Sequence, residues 1–486
     1  MQVIDISVIS EIPLVIIVLM ALGGLLSFAI DLLSKNKRRI AGYLTLLILL
    51  ISLTLGGYKV YYHLTYIPGY GLSFDAFSDF FLLLFLGISF LVVLSSLLYM
   101  KDDSRQGLYY GLIIYATIGL LIVASAVDLI ILVVGWELAG LSTYALTAIR
   151  RDDPLSIEAA MKYFLVGAIG SGLAILGISY LFGVTGTTDL NGIYTALQTM
   201  DQTKLPLAYL GVAFLIAGIG FKMAIVPFHA WIPDTYEGAP TTITTYLAAA
   251  SKKMGFAAAF RIFIYALPSL NNIWVTAFAI LAVITMTYGN LAALVQRNIK
   301  RMMAYSSIGH AGYIIIALAA YASSTAVVGG LLHVLMHAIM KTAAFIAIIS
   351  VWYVLRSHDL TAYAGLRKRA PITSFTLTVM LLSMAGIPPL GGFFSKYILF
   401  LGAVEAGLAW LAVAGVINSV ISLFYYAWII KLMLIDDPID SLTKLQNEPK
   451  LYAGILIILT VFIVIFGLLM PYITDYLITA VNILHH

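Results

Sequence analysis

The sequence predicts an all-α, polytopic membrane protein of fourteen transmembrane helices, and three observations predict it. Of 486 residues, 62% are hydrophobic and 10% charged, whereas a soluble globular protein carries about 25% charged residues. Apolar runs of about 18 residues or more, enough to cross a bilayer, recur along the whole chain. Basic residues gather in alternate connections, as the preference of inner loops for Lys and Arg requires. Such a chain cannot hide its apolar surface from water, so lipid is its solvent.

The spans run over 12–33, 40–63, 76–99, 108–127, 129–149, 157–183, 206–228, 240–266, 273–294, 302–320, 326–354, 371–404, 407–434 and 451–479. No soluble domain intervenes, so residues 1–486 form a single membrane domain. The opening "MQVIDISVISEIPLVIIVLM" lacks a basic n-region, and the first run reads as a retained helix rather than a cleaved signal. "SKNKRR", "KDDSR", "RRDD", "QRNIKR", "RSHDLTAYAGLRKR" and the segment from Lys431 to Lys450 hold 18 of the 27 Lys and Arg. They follow spans 1, 3, 5, 9, 11 and 13. The opposite set of loops holds only Lys204. This alternation predicts both termini on the outer face. The closing His485 and His486 are given no function.

Two spans are interrupted. Span 7 contains "MAIVPFHAWIP", and span 12 contains "MAGIPPLGGFF" with Pro388, Pro389, Gly391 and Gly392. Proline removes a backbone donor and clashes one turn back, and glycine weakens the helix further. In lipid such a break survives only where protein or a water-lined cavity satisfies the released backbone groups. The breaks lie five spans apart. An odd offset inverts the second unit, so spans 4–8 (108–266) and 9–13 (273–434) are expected to form two inverted five-helix repeats. Broken helices at matching positions of two repeats point to an ion path; simple proline kinks are the alternative.

Eight basic residues fall within or at the edge of spans: Lys59, Lys162, Lys222, Lys252, Lys253, Arg261, Lys341 and Lys396. A charge at mid-bilayer costs about 2.5–3.5 kcal/mol on insertion scales, so each needs a reason or an escape. Lys59 and Arg261 lie near outer ends and are expected to snorkel. Glu137, in "DLIILVVGWELAGLSTYAL", is too deep in span 5 to do so. Lys222 sits beside the span 7 break, and Lys396 follows the span 12 break. Lys252 and Lys253 point about 100° apart on a helix, so only one is expected to face the site. "GLLHVLMHAIMKTAAF" places His333, His337 and Lys341 on one face, four residues or about 6 Å apart. This spacing suits a proton relay or interhelical hydrogen bonding. Metal binding is disfavoured because no third ligand and no HExxH glutamate are in view. Glu158 and Lys162, at i and i+4, suit either a relay pair or an inner-edge ion pair. His310, in "SSIGHAGY", reads as a polar packing residue. Histidine titrates near neutrality, burial disfavours a charged ammonium, and a nearby carboxylate favours it. A lysine beside a movable carboxylate would therefore take and release a proton. Without cysteine the chain holds no disulfide, thiolate-bound cluster or thiol nucleophile. A net charge of +4 does not suggest a nucleic-acid binder.

"SIEAAMKYFLVGAIGSGLAILGISYLFGVTGTTDL", "FKMAIVPFHAWIPDTYEGAPTTITTYLAAASKKMGF", "NIKRMMAYSSIGHAGY" and "LLSMAGIPPLGGFFSKYILF" resemble the antiporter-like membrane subunits of complex I. The resemblance covers roughly 70–430 and is strongest to subunit N of NADH:quinone oxidoreductase and its archaeal relatives. It implies fourteen helices in two inverted five-helix repeats, in a prokaryotic cell membrane. It also implies proton translocation driven by quinone reduction in other subunits, which include sister antiporter-like subunits and a quinone-site subunit. Position by position, Glu137 matches the family's span 5 glutamate and Lys222 the span 7 lysine that pairs with it. Lys252 matches the span 8 lysine and is thereby chosen over Lys253. Lys396 matches the span 12 lysine on the exit side, and Glu158 and Lys162 match the "EAAxKY" pattern. "HVLMHAIMK" departs from subunit N and resembles sister subunits M and L and the cation/proton antiporter subunits. The long lateral helix of subunit L is expected to be absent. No cofactor is expected on this chain, since no cysteine cluster, nucleotide loop or quinone pocket can be argued from its residues. Two alternatives stand beside this reading: a sodium/proton antiporter subunit and a structural spacer that no longer transports.

Overall fold

A computed structural model describes residues 11–33, 39–62, 66–438 and 447–485. Residues 1–10, the loop positions 34–38, Lys444 and His486 lie outside the described residues. The chain is almost entirely helical. In order come α1 (Ile12–Leu33), α2 (Arg39–Tyr61), α3 (Ala76–Tyr99), α4 (Gln106–Ser125), α5 (Leu129–Thr147), α6 (Pro154–Thr185), α7 (Leu190–Gln198), α8 (Leu205–Met223) and α9 (Trp231–Gly238). Then follow α10 (Thr241–Tyr246), α11 (Lys252–Ala259), α12 (Asn271–Leu294), α13 (Ile299–Ala319), α14 (Ser324–Leu355), α15 (Pro371–Ala385), α16 (Gly391–Glu405), α17 (Ala409–Leu434) and α18 (Lys450–Asn482). Twelve helices among the described residues are long and apolar enough to cross a membrane. This is an integral membrane protein.

Three features depart from the sequence expectation. A small antiparallel hairpin, β1 (Tyr66–Gly69) with β2 (Leu72–Phe74), precedes α3. Its turn takes Gly69 and Gly71 into left-handed backbone that glycine adopts without penalty. The helix α7 occupies the polar connection after α6. The span 240–266, expected as a continuous run, is segmented, and 371–404 is interrupted at Pro388 and Pro389 as its sequence predicts. The first is α10, a π-helical turn Leu247–Ser251, α11 and a second π-helical stretch Phe260–Ala266. The second is α15 and α16 on either side of the Ile387–Leu390 break. Span 7 likewise stops at Met223, and α9 begins after Ala230.

Helix boundaries follow local chemistry. Asp75, Asp128, Asp153, Asn298 and Ser323 accept backbone N–H bonds at the starts of α3, α5, α6, α13 and α14. Pro154 opens α6 where its missing N–H costs nothing. One local pattern occurs twice. Asp128 bridges to Asp189, and Leu129 N–H donates to the Thr188 carbonyl. Asn298, 170 residues later, bridges to Asp359, and Ile299 N–H donates to the His358 carbonyl. The helices that follow, α6 and α14, are each 32 residues long.

The chain divides into two compact units, one comprising residues 1–223, 250–274 and 476–486, the other residues 224–249 and 275–475. In the first, α6 packs on α8 and α4 on α5. In the second, α14 packs on α16 at backbone distance. A Cβ on Gly329 would stand 2.4 Å from Leu399 N, and one on Gly402 2.1 Å from Ala326 N. Gly392 has the same role at the start of α16: its N–H donates to Ser383 Oγ at 3.1 Å, and a Cβ there would meet the Ser383 carbonyl at 1.9 Å. Gly392→Ala is therefore expected to push α16 off α15 and cost about 1–3 kcal/mol, the usual range for overpacking. Thermal unfolding of the purified protein checks it against Gly391→Ala. That methyl would meet the flexible Met336 sulfur and is expected to cost less.

At the start of α13, Arg301 bonds Asp234 at 2.7 Å and Glu237 at 2.8 Å on α9. Lys300 donates to the carbonyls of Glu237 and Ala239, both at 2.7 Å. The acidic residues of "PDTYEGAP" thus fasten the helix after the span 7 break to the head of α13.

Candidate functional site

In the first unit Glu137, Lys222 and Lys252 lie on α5, α8 and α11, and α6 adds Tyr163. Lys222 lies on the last turn of α8 and is buried. Its Nζ donates to Tyr163 Oη at 3.2 Å and lies 6.0 Å from the Trp136 ring. Tyr163 is buried on α6 and shares a hydrogen bond of 3.1 Å with Thr143 Oγ1 of α5. The Tyr144 ring stands edge-on to it at 4.5 Å. Glu137, adjacent to Trp136, lines a small cavity with Ser171, Ala174 and Ile219. Its Oε1 is buried without a hydrogen-bond partner. No ion pair joins Glu137 to Lys222 among the described residues, so the lysine is held by a phenol and aromatic faces rather than by the carboxylate. Lys252 opens α11, which packs on α8 where a Cβ on Gly255 would stand 2.9 Å from Met223 N.

In the second unit the polar side chains form a line of hydrogen bonds. Lys341 Nζ donates to the Met303 carbonyl at 3.0 Å and to Ser306 Oγ at 2.9 Å. Ser306 Oγ lies 2.5 Å from Tyr426 Oη, and Tyr426 Oη lies 3.4 Å from His310 Nε2. His310 Nδ1 meets His333 Nε2 at 3.0 Å, and His333 Nδ1 meets Ser395 Oγ at 2.9 Å. The neighbour of Ser395 is Lys396. Its Nζ donates to the carbonyls of Met384 and Ala385, at 2.9 and 3.3 Å, and to Ser419 Oγ at 3.2 Å. Lys396 therefore satisfies backbone acceptors at the end of α15 that the helix break leaves open. It also lies 4.5 Å over the Tyr313 ring and borders a mostly apolar cavity of about 660 Å³ that Ser419 and Tyr397 also line. From Lys341 to Ser395 every side chain on the line can both give and take a proton, and all are buried. With one proton between the facing nitrogens of His310 and His333, the donor order reverses only when both rings change tautomer together.

The line corrects several sequence expectations. His310, read as a packing residue, is the link between Tyr426 and His333. His333, His337 and Lys341 do share one helix face, but the hydrogen-bonded line leaves α14 for α13 and α17 before returning to it. The His337 ring lies 4.8 Å from that of His310. Lys253 is buried like Lys252, because α11 is enclosed by protein on all sides and has no outward face. Lys59 and Arg261 do not snorkel. Lys59 pairs with Asp79 at 2.5 Å and Arg261 with Asp75 at 2.8 Å, all four buried. Glu158 and Lys162 form an ion pair at 2.7 Å on the exposed side of α6, with side chains 58% and 45% exposed. They are not gathered with Lys222, although Tyr163 is the next residue. Tyr163 itself was missed. It precedes His333 by 170 residues, the interval that separates the starts of α6 and α14.

Residues 126–422 match the model of the NADH:quinone oxidoreductase/Mrp antiporter transmembrane family. The chain is 40% identical over 471 residues to the F(420)H(2) dehydrogenase subunit N of Methanosarcina mazei, covering 93% of this chain and 94% of that one. It is 38% identical over 458 residues to the NADH-quinone oxidoreductase subunit N of Dehalococcoides mccartyi, covering 90% and 93%. A chain of the respiratory complex I from Thermus thermophilus, solved with bound aureothin, superposes with a TM-score of 0.80 at 28% identity, over 95% of this chain and 98% of that one.

Proposed function

This chain belongs to the NADH:quinone oxidoreductase and Mrp antiporter family of membrane subunits, and from that premise we propose how it works. It is a proton-translocating, antiporter-like subunit of a respiratory complex that reduces quinone with NADH or a related donor. One observation carries the reading: the unbroken line of proton-exchanging groups from Lys341 through Ser306, Tyr426, His310 and His333 to Ser395. Protons enter from the inner side, are held at Lys222 and Lys252, pass along the Lys341–His333 line and leave by Lys396. Glu137 is the coupling carboxylate, and its unbonded oxygen is placed to take a new partner when a neighbouring charge changes. Glu158 and Lys162 lie on the outer side of this group as an accessory pair.

Electron transfer belongs to other subunits, and this chain carries no cofactor of its own. Its partners are sister antiporter-like subunits and the quinone-site subunit, with lipid around them and no nucleic acid. Counting the segmented runs 240–266 and 371–404 as one span each gives fourteen. The pattern repeated at Asp128 and Asn298 supports two inverted repeats, 108–266 and 273–434. The alternation of basic loops supports both termini on the outer face of a prokaryotic cell membrane.

Proton pumping by the assembled complex in sealed vesicles tests the reading, with Lys222→Ala compared to wild type. Assembly is expected to persist while pumping and coupled quinone reduction fall together several-fold. Wild-type pumping in this variant would make Lys222 a structural residue and the chain a spacer. A sodium/proton antiporter is the second reading, favoured by the histidine pair His333 and His337. Pumping that depends on sodium in the same vesicles would select it.

A further inference from the structure

A second buried polar cluster lies beside the relay and ends on two amides. Asn290, on α12, is 1% exposed, and Asn418, on α17, 4%. Asn290 Nδ2 donates to the Asn418 carbonyl at 3.1 Å, and it also faces Asn418 Oδ1 and Tyr313 Oη, both at 3.3 Å. A backbone carbonyl only accepts, so the NH2 end of Asn290 must face it and Oδ1 must point the other way. There Oδ1 accepts from Tyr425 Oη at 3.0 Å. Asn418 is fixed in the same manner: its Nδ2 donates to the Ala414 carbonyl at 3.0 Å and to Thr287 Oγ1 at 3.2 Å, leaving Oδ1 toward Asn290.

The two hydroxyls that Asn290 joins belong to different ends of the relay. Tyr425 is the chain neighbour of Tyr426, with their rings 4.3 Å apart and tilted by 59°. Tyr313 underlies Lys396, and Ser419 Oγ, which accepts from Lys396, donates to Tyr313 Oη at 3.5 Å. A proton crossing from Tyr425 to Tyr313 would bypass both histidines. To carry it, residue 290 would have to accept a proton on one atom and release one from another. A carboxylate does this with its two oxygens; a neutral amide has a fixed donor end and a fixed acceptor end.

We propose that Asn290 is an insulating residue, a buried amide that ties the Tyr425 end of the relay to the Tyr313 end while passing no proton between them. It positions the two tyrosines and confines protons to the histidine line; the proposal rests on the relay reading above. Gly309, next to His310, makes room for it, since a Cβ there would stand 2.9 Å from Asn290 Oδ1.

The test uses the assembled complex in sealed vesicles, measuring the decay of an imposed pH gradient without electron donor, then pumping with donor. Asn290→Asp is expected to dissipate the gradient several-fold faster than wild type and to pump less per quinone reduced. Adding Tyr425→Phe to it is expected to restore tightness, and Asn290→Leu, which packs but carries no proton, is expected to be tight. An Asn290→Asp complex as tight as wild type, or a leaky Asn290→Leu complex, overturns the proposal. Should Asn290→Asp fail to assemble, Tyr425→Phe alone decides. Retained pumping keeps protons on the histidine line, and lost pumping makes the tyrosines the path. Lys396→Ala in the same vesicles separates the two ideas. Pumping unaffected by that change sinks the relay reading itself, whereas pumping lost there with a tight Asn290→Asp sinks only the insulator.

Discussion

His310→Phe is expected to abolish proton pumping while leaving the complex assembled. His310 hydrogen-bonds both Tyr426 and His333 and so joins the two halves of the line. Phenylalanine fills the same space between the rings of His333, His337 and Tyr313 but can neither give nor take a proton. A positioned proton-transfer group contributes about 10²–10⁴-fold to its step, so its loss is large beside any packing change. Tyr426→Phe removes the hydroxyl between Ser306 and His310 and is expected to act in the same direction. Both are read as protons pumped per quinone reduced, with assembly scored on the purified complex. Pumping at wild-type level in His310→Phe would mean that the line at His310 is structural and that protons travel elsewhere.

The residue that matters most for that result was also the hardest to read from the sequence. Glu137, Lys222, Lys341 and Lys396 stand out in the sequence as candidates because a charge deep in an apolar run has few innocent explanations. The breaks at Pro227 and at Pro388 and Pro389 were legible because proline has a fixed backbone cost. A histidine between small residues carries no such signal, and its importance comes from neighbours on α14 and α17 that no local pattern announces. Burial does not separate Lys252 from Lys253, because α11 has only inner faces. Span 240–266 reads as a continuous run, whereas 371–404 reads as interrupted. The first contains no residue that forces a π-turn, and in the second the Pro and Gly marked the break without giving the lengths on either side. Lys59 and Arg261 were placed at the membrane edge by counting. Counting does not see Asp75 and Asp79, which lie one turn apart at the start of α3.

Those two acids support the prediction with the largest effect on stability. Lys59 Nζ donates to both oxygens of Asp79 at 2.5 Å and to the Phe74 carbonyl at 3.1 Å. Arg261 bonds Asp75, lies 4.7 Å over the Phe77 ring, and comes from the π-helical stretch that follows α11. Asp75 in turn caps α3 through Ser78 N–H at 2.9 Å and accepts from Ser73 Oγ at 3.1 Å. Asp79→Ala would strand the Lys59 ammonium with only a carbonyl, out of reach of water. Breaking a buried pair in this way costs about 3–5 kcal/mol, much of it the burial of the uncompensated charge. The expected result is a large fall in the unfolding midpoint of the purified protein, or failure to assemble. Replacing both partners by apolar residues, Lys59→Met with Asp79→Leu, is expected to recover most of that loss, because no charge is then left buried. If the double variant is as unstable as Asp79→Ala, the pair is specifically required for the packing of α2 on α3, and the cost lies in lost geometry rather than in a stranded charge.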